Sequence, residues 1–468
     1  MAKPVSSEKN EKFVKMTTAS VEKLVLSLAG PSIAIMMISA IYNIADTYFV
    51  STLGTSQVAA VGIAFPLMAI IQAMGFFFGQ GSGVYMARAL GARDNEGASR
   101  MAATALISGF LFMGVIAIVI IIFLDPFITF LGATETIKPF AKEYFLYILI
   151  ASPWMVAATV INQQLRFQGS AAIAMWGMLT GAILNIILDP VLIIWVGLGV
   201  KGAALATMLC QFISFLILFF YGTTRKGNIP MKFSHFSPTV DKYVEMFRGG
   251  IPSMLRQSLM SVATIIINNF ARNYGDFAIA GISIASRISM FAHSAMLGFG
   301  QGFQPVCGFN YGAKLYSRVR KSYWFCVRFC TAGLAVIALI LAIFAPQIIA
   351  LFRKDDLDVI AIGARGLRFN CLGLPFMAGV VMSNMITQSM GKALQASIIA
   401  TSRQGLILIP CLFIFGPLFG LFGIQMCAPL ADIMSVVIVI PIMVRVLKDL
   451  NIPDKVSDDD KPAVAARA

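Results

Sequence analysis

Apolar residues run through this chain in long unbroken blocks separated by short polar segments. Blocks of the length needed to cross a bilayer, about 20 residues, lie near 24–50, 57–82, 101–124, 139–161, 170–195, 200–221, 246–272, 278–302, 323–345, 358–385, 395–417 and 421–446. The pattern predicts an all-α polytopic membrane protein with twelve transmembrane helices. Strands of a membrane β-barrel would alternate in segments of about ten residues, so a barrel is excluded.

The small and polar residues inside these blocks repeat. "FFGQG" at 77–81 returns as "GFGQG" at 298–302, and "LGAR" at 90–93 returns as "YGAK" at 311–314, each 221 residues on. The same shift lays "GPS" (30–32) on "IPS" (251–253) and the Gly199/Gly202 pair on Gly420/Gly423, while Gln168-Gly169 falls on Met390-Gly391 after a one-residue slip. Two pseudo-symmetric six-helix lobes are therefore expected, 24–221 and 248–446. A polar N-terminal segment (1–23), a linker (222–247) and a tail (447–468) complete the chain. Six is even, so both lobes enter from one side as parallel repeats, an organisation common in transporters whose substrate site lies between the halves.

Composition agrees: 58% of residues are hydrophobic and 12% charged, against roughly 25% charged in a soluble domain, and the mean hydropathy is +0.82. The formal net charge of +14 would suggest nucleic acid in a soluble protein, but its placement is a topology signal. Lys3, Lys9, Lys12, Lys15 and Lys23 precede the first block, Arg88, Arg93 and Arg100 follow the second, Arg225, Lys226, Lys232 and Lys242 follow the sixth, and Lys314, Arg318, Arg320 and Lys321 follow the eighth. By the positive-inside rule both termini are cytoplasmic, in a multi-pass protein of the cell (inner or plasma) membrane. No nucleic-acid partner is expected. The first apolar block is too long and lacks a small-residue cleavage site, so no removable signal peptide is expected. Seven cysteines lie in or beside the blocks without metal-type pairs, and His235 and His293 are too far apart in sequence for a metal site. The chain carries no P-loop, HEXXH or nucleophile-base cluster, which argues against an enzyme, an ATP-driven pump or a bound cofactor.

One block departs from the apolar rule. "GAILNIILDPVLIIW" (181–195) contains Asn185 and Asp189, four apart and so on one helix face, and Asp46 lies deep in the first block. An ionised Asp at the centre of a membrane helix costs about 2.5–3.5 kcal/mol on insertion scales. These acids are expected to face a protein interior and to take up a proton or a hard cation. Their repeat partners, Ile267 for Asp46 and Cys411 for Asp189, are not acids.

"LRFQG" (165–169), "LNIILDP" (184–190) and "VKGAALATMLCQ" (200–211), in this order and with the repeat, resemble the multidrug and toxic compound extrusion (MATE) family over nearly the whole chain. The resemblance implies two helical lobes that export amphipathic small molecules in exchange for protons or sodium ions. It places the coupling site at Asp46, Asn185, Asp189 and Thr207, in the manner of the branch with acids on the first and fifth helices. It also places chamber-lining positions at Tyr42, Asn162, Met178 and Gln211, and a hinge at Pro31, whose repeat copy is Pro252. A monomer working in the lipid bilayer is expected, with no metal beyond a coupling sodium. A lipid-linked oligosaccharide flippase of the same superfamily, with a basic central cavity, is the alternative.

The second half adds a charge of the other sign. Arg256, Arg287, Arg368 and Arg403 each fall roughly eight to twelve residues inside a block, near the midplane at about 1.5 Å per residue, against one acid at that depth, Asp432. Arg256, Arg287 and Arg403 are candidate chamber residues, and the imbalance predicts a positive wall that favours anionic or zwitterionic amphiphiles.

Overall fold

The computed structural model describes residues 5–454 apart from 52, 225–228, 230, 231, 273, 275 and 353–355; the side chains of 5–10, 40, 42–48, 51, 55, 223, 272, 276 and 279 are also outside the description. Lipid supplies no partner for a backbone amide, so apolar blocks close their own hydrogen bonds as helices. They run α1 (Val5–Thr18), α2 (Val21–Ser51), α3 (Thr55–Ile63), α4 (Phe65–Gly91), α5 (Asn95–Ile122), α6 (Leu124–Phe130), α7 (Lys138–Phe167), α8 (Ala171–Pro190) and α9 (Gly199–Thr224). The second series is α10 (Val240–Arg272), α11 (Asp276–Gly312), α12 (Tyr316–Ile343), α13 (Ala345–Ala350), α14 (Leu357–Ser389), α15 (Ala393–Thr401) and α16 (Ile409–Asp449).

Ten stretches among the described residues have the length and hydropathy of a membrane span. The last, Ala393–Asp449, is 57 residues long, and Gly420 (φ 61, ψ −141) breaks the helix inside it, so it crosses twice. Helix α11, with 37 residues, is long enough to cross as well, although Arg287, His293, Gln301 and Gln304 make it more polar. The twelve-helix fold is thereby complete.

Two compact units emerge, each with its own apolar core. In the first, α7 is the central helix and packs on α4, α5, α8 and α9; Phe145, Ile148, Leu149, Val160 and Ile161 are fully buried along it. In the second, α14 holds the same place against α11, α12, α15 and α16. The repeat is visible atom by atom. Asn162 donates to the carbonyl of Ala174 at 2.9 Å, and Asn384 donates to that of Ala396 at 2.7 Å. Left-handed backbone recurs at Arg93 and Lys314 (φ 63 and 60), at Gly169 and Gly391 (76 and 77), and at Gly199 and Gly420 (56 and 61).

The units exchange their opening segments. The first comprises 1–17 and 34–250, the second 18–33 and 251–468. Within the second unit, the backbone of Ala29 and Ile33 lies against Gly302 and Gly298 of α11, so close that a Cβ on Gly302 would stand 2.4 Å from the Ala29 Cα. Within the first, the Met246 carbonyl of α10 lies against Gly81 of α4, 2.3 Å from where a Cβ would be. These are the glycines of the repeated "FFGQG" and "GFGQG" motifs: they let one helix backbone seat directly on another. The divisions at 33/34 and 250/251 fall beside Pro31 and Pro252.

Candidate functional site

Helix α8 buries a single stripe: Ala171, Ala174, Gly177, Gly181, Asn185 and Asp189. Spacings of three and four keep these residues on one face. The small residues at the head of the stripe let α9 approach: a Cβ at Gly181 would stand 2.9 Å from the Cβ of Ser214, and the Ser214 hydroxyl donates to the Gly177 carbonyl at 2.9 Å. Asn185 and Asp189 continue the stripe where it becomes polar. Their exposures are 1% and 0%, and on α9 Thr207 and Cys210 are buried as well, at 2% each.

Both carboxylate oxygens of Asp189 and both amide atoms of Asn185 are sealed from solvent. The Cys210 thiol lies against Asn185 and within electrostatic reach of Asp189. Between Arg166 and Arg225 the sequence holds one basic residue, Lys201 at the start of α9, so the two helices bring no arginine to this carboxylate. Immediately after Asp189 and Pro190 the helix widens into a π-turn, Val191–Trp195, a geometry frequent at functional sites. Asp46 and Tyr42 lie on the part of α2 that belongs to the first unit, but their side chains are outside the described residues.

The remaining expected chamber residues separate. Asn162 is 5% exposed and committed to the Ala174 carbonyl. Met178 is half-buried against the apolar core, and Gln211 is half-buried on α9. Sequence reasoning missed Arg166, at 1% exposure one of the largest fully buried side chains. It bonds Gln163, which accepts from Gln80 at 3.3 Å, and beside it Gln164 donates to Ser82 and to the Ala102 carbonyl. The density of amides in "NQQLRFQG" (162–169) was the available signal.

In the second unit, Arg403 reaches the carboxylate of Asp432 through Nε and Nη2, and Gly373 leaves the room in which that carboxylate sits. Arg256 donates from Nη1 to Oδ1 of Asn384 at 2.9 Å. His293 Nδ1 lies 3.0 Å from the Met377 sulfur, and His293 is within electrostatic reach of both arginines. Arg368 is exposed and turns to the Ala342 carbonyl, 3.2 Å away in the last turn of α12. Arg287 is also exposed. Among the described residues, no cluster of three or more His, Cys, Asp or Glu could hold a metal ion.

A family model described as MatE matches this chain twice, over 31–191 and 252–414, one match in each half of the repeat. Among curated relatives, the multidrug export protein MepA of Staphylococcus saprophyticus is 30% identical over 450 residues, covering 96% of this chain and 98% of the relative. MepA of Staphylococcus aureus is 29% identical over 421 residues, covering 89% and 92%. Among solved structures, an outward-facing multidrug resistance MATE family transporter of the MOP superfamily superposes with a TM-score of 0.88 at 27% identity, over 93% of this chain and 98% of that one. The chain belongs to the MatE family of membrane transporters.

Proposed function

We propose that this protein is a cation-coupled antiporter that exports amphipathic small molecules, drugs among them, by alternating access. The observation that carries the coupling is the sealed carboxylate of Asp189, one turn from Asn185 on the buried stripe of α8 in an apolar bundle. A membrane interior disfavours the ionised acid, so Asp189 changes its charge state or its cation when the site opens. Asp46, Asn185, Asp189 and Thr207 form the coupling set, all oxygen or amide ligands suited to a proton or a sodium ion. No other cofactor is needed.

Tyr42, Asn162, Met178 and Gln211 are the candidate substrate residues of the first half, and Arg256, Arg287 and Arg403 those of the second. Pro31 acts as the hinge: it removes a backbone hydrogen bond within α2, beside the place where that helix passes from one compact unit to the other. The lobes are 24–221 and 248–446, joined by a cytoplasmic 222–247 linker. Both termini are cytoplasmic, the membrane is the cell (inner or plasma) membrane, and the working form is a monomer.

The test is uptake and release of drug-like dyes by purified protein in liposomes, with proton or sodium gradients imposed separately. Export that follows one gradient and disappears without it supports the reading. Transport indifferent to both gradients, or movement of a lipid-linked sugar in place of the dyes, overturns it.

A further inference from the structure

Three arrangements in the second unit bear on charge. Apart from Asp276 and Asp358 at block edges, Asp432 is the one acid within the membrane blocks of the second half, and no glutamate occurs after Glu245. Arg403 takes both of its carboxylate oxygens. Arg256 is left with an amide oxygen, that of Asn384, and among the described residues it pairs with no carboxylate. A guanidinium carries five donors and a full charge at any accessible pH, so one neutral acceptor leaves most of its capacity unused.

The repeat shows that this arginine is an addition to a shared frame. Asn162 and Asn384 make the same bond to the equivalent carbonyls of Ala174 and Ala396. In the first half the position matching Arg256 under the 221-residue shift is Ile35, a buried core residue at 3% exposure. The frame closes without a charge there, so Arg256 is not required by the helix packing that the two halves share. Placing it in a membrane bundle costs free energy, and something other than the fold repays it. His293 stands within electrostatic reach of both arginines, and its Nδ1 faces the Met377 sulfur. Arg256 is half-buried, not sealed, as is Arg403, so a ligand can reach it.

We propose that Arg256, oriented by Asn384 and flanked by His293 and Arg403, is a binding site for the anionic group of a transported amphiphile: a carboxylate, phosphate or sulfonate on an apolar body. Asp432 neutralises Arg403 and keeps the site at one net positive charge, suited to a single anionic group. This deepens the export reading by naming the substrate class and rests on it for the assumption that the ligand is cargo.

The test measures binding without any gradient. Purified full-length protein in non-ionic detergent is titrated against two xanthene dyes of similar body and opposite charge, carboxyfluorescein and rhodamine 6G, with fluorescence anisotropy as readout. Arg256→Gln is expected to weaken carboxyfluorescein binding about tenfold or more, the scale of a lost charged hydrogen bond, while rhodamine 6G changes less than about twofold. Arg256→Lys keeps the charge without the planar fork and retains part of the affinity. Arg368→Gln, on the arginine that turns to the α12 carbonyl, leaves both dyes unchanged. On the unmodified protein, which needs no variant to fold, hexyl phosphate is expected to displace carboxyfluorescein and hexyltrimethylammonium is not. Equal losses for both dyes, no loss for either, no carboxyfluorescein binding by the unmodified protein, or equal displacement by the two hexyl compounds each overturns the inference. If gradient-driven export fails while the dye preference holds, the coupling reading alone falls; the reverse result removes this site and leaves the coupling standing.

Discussion

Arg403 grips Asp432 with two guanidinium nitrogens, Nε on Oδ1 and Nη2 on Oδ2, across the fold from the π-turn Ser402–Leu408 to α16. Asp432 is 5% exposed at its side chain and Arg403 24%, so the acid depends on the arginine more than the arginine depends on it. Removing one partner of a buried pair commonly costs about 3–5 kcal/mol, because the other charge is stranded. Arg403→Gln is therefore expected to lower stability by about 2–3 kcal/mol, the partial exposure reducing the loss. The double variant Arg403→Gln/Asp432→Asn should recover much of it. Thermal unfolding of the four proteins in one detergent closes the cycle, and strictly additive losses would mean that the pair is not coupled.

Asp189→Asn removes the ionisable group but keeps its volume and its place on the α8 stripe. Gradient-driven export should fall to background while the melting temperature rises or stays level, since a buried acid has been neutralised. Asp46→Asn should do the same to export. A variant that still exports at the unmodified rate under a gradient would remove that acid from the coupling set.

Pro31→Ala restores a backbone donor within α2. A hinge acts on the equilibrium between conformations and not on ligand contacts, so dye affinity should change less than about twofold while the transport rate falls severalfold. Parallel changes in affinity and rate would make Pro31 a fixed bend.

Gly302→Ala sets a Cβ 2.4 Å from the Ala29 Cα, where only backbone could yield. Overpacking of this kind costs about 1–3 kcal/mol, and the displaced element is the 18–33 segment. Gly333→Ala, on a helix face with nothing within 4 Å, is the matched control and should be neutral. Equal melting temperatures for the two variants would show that the glycine contact is not tight in solution.

Much of this was legible in the sequence because a bilayer imposes its own grammar. Hydropathy marks spans without any knowledge of partners, and the break near 418–420 could be read because Gly420 is the repeat copy of Gly199. Asn185 and Asp189 fell on one face by spacing alone. The partners were less accessible. Asn384 meets Arg256 across 128 residues, and no local pattern announces that distance. Arg166, in a polar run that could equally have been a loop, proved fully buried because α7 continues to Phe167 and surrounds it with amides. The exchange of segments was hidden for the same reason: the glycines of "FFGQG" and "GFGQG" were visible, but what they receive was not.

That exchange sets an order of events during synthesis. Ala29 leaves the ribosome roughly 270 residues before Gly302, the surface on which its backbone seats. Until then residues 18–33 have no home, and the first unit likewise waits for Met246 to cover Gly81. Contacts this distant in sequence close late and slowly. A fragment ending at the linker would carry the second unit's opening segment and lack the 240–250 segment that packs within the first. Two fragments made together could still trade these pieces and assemble.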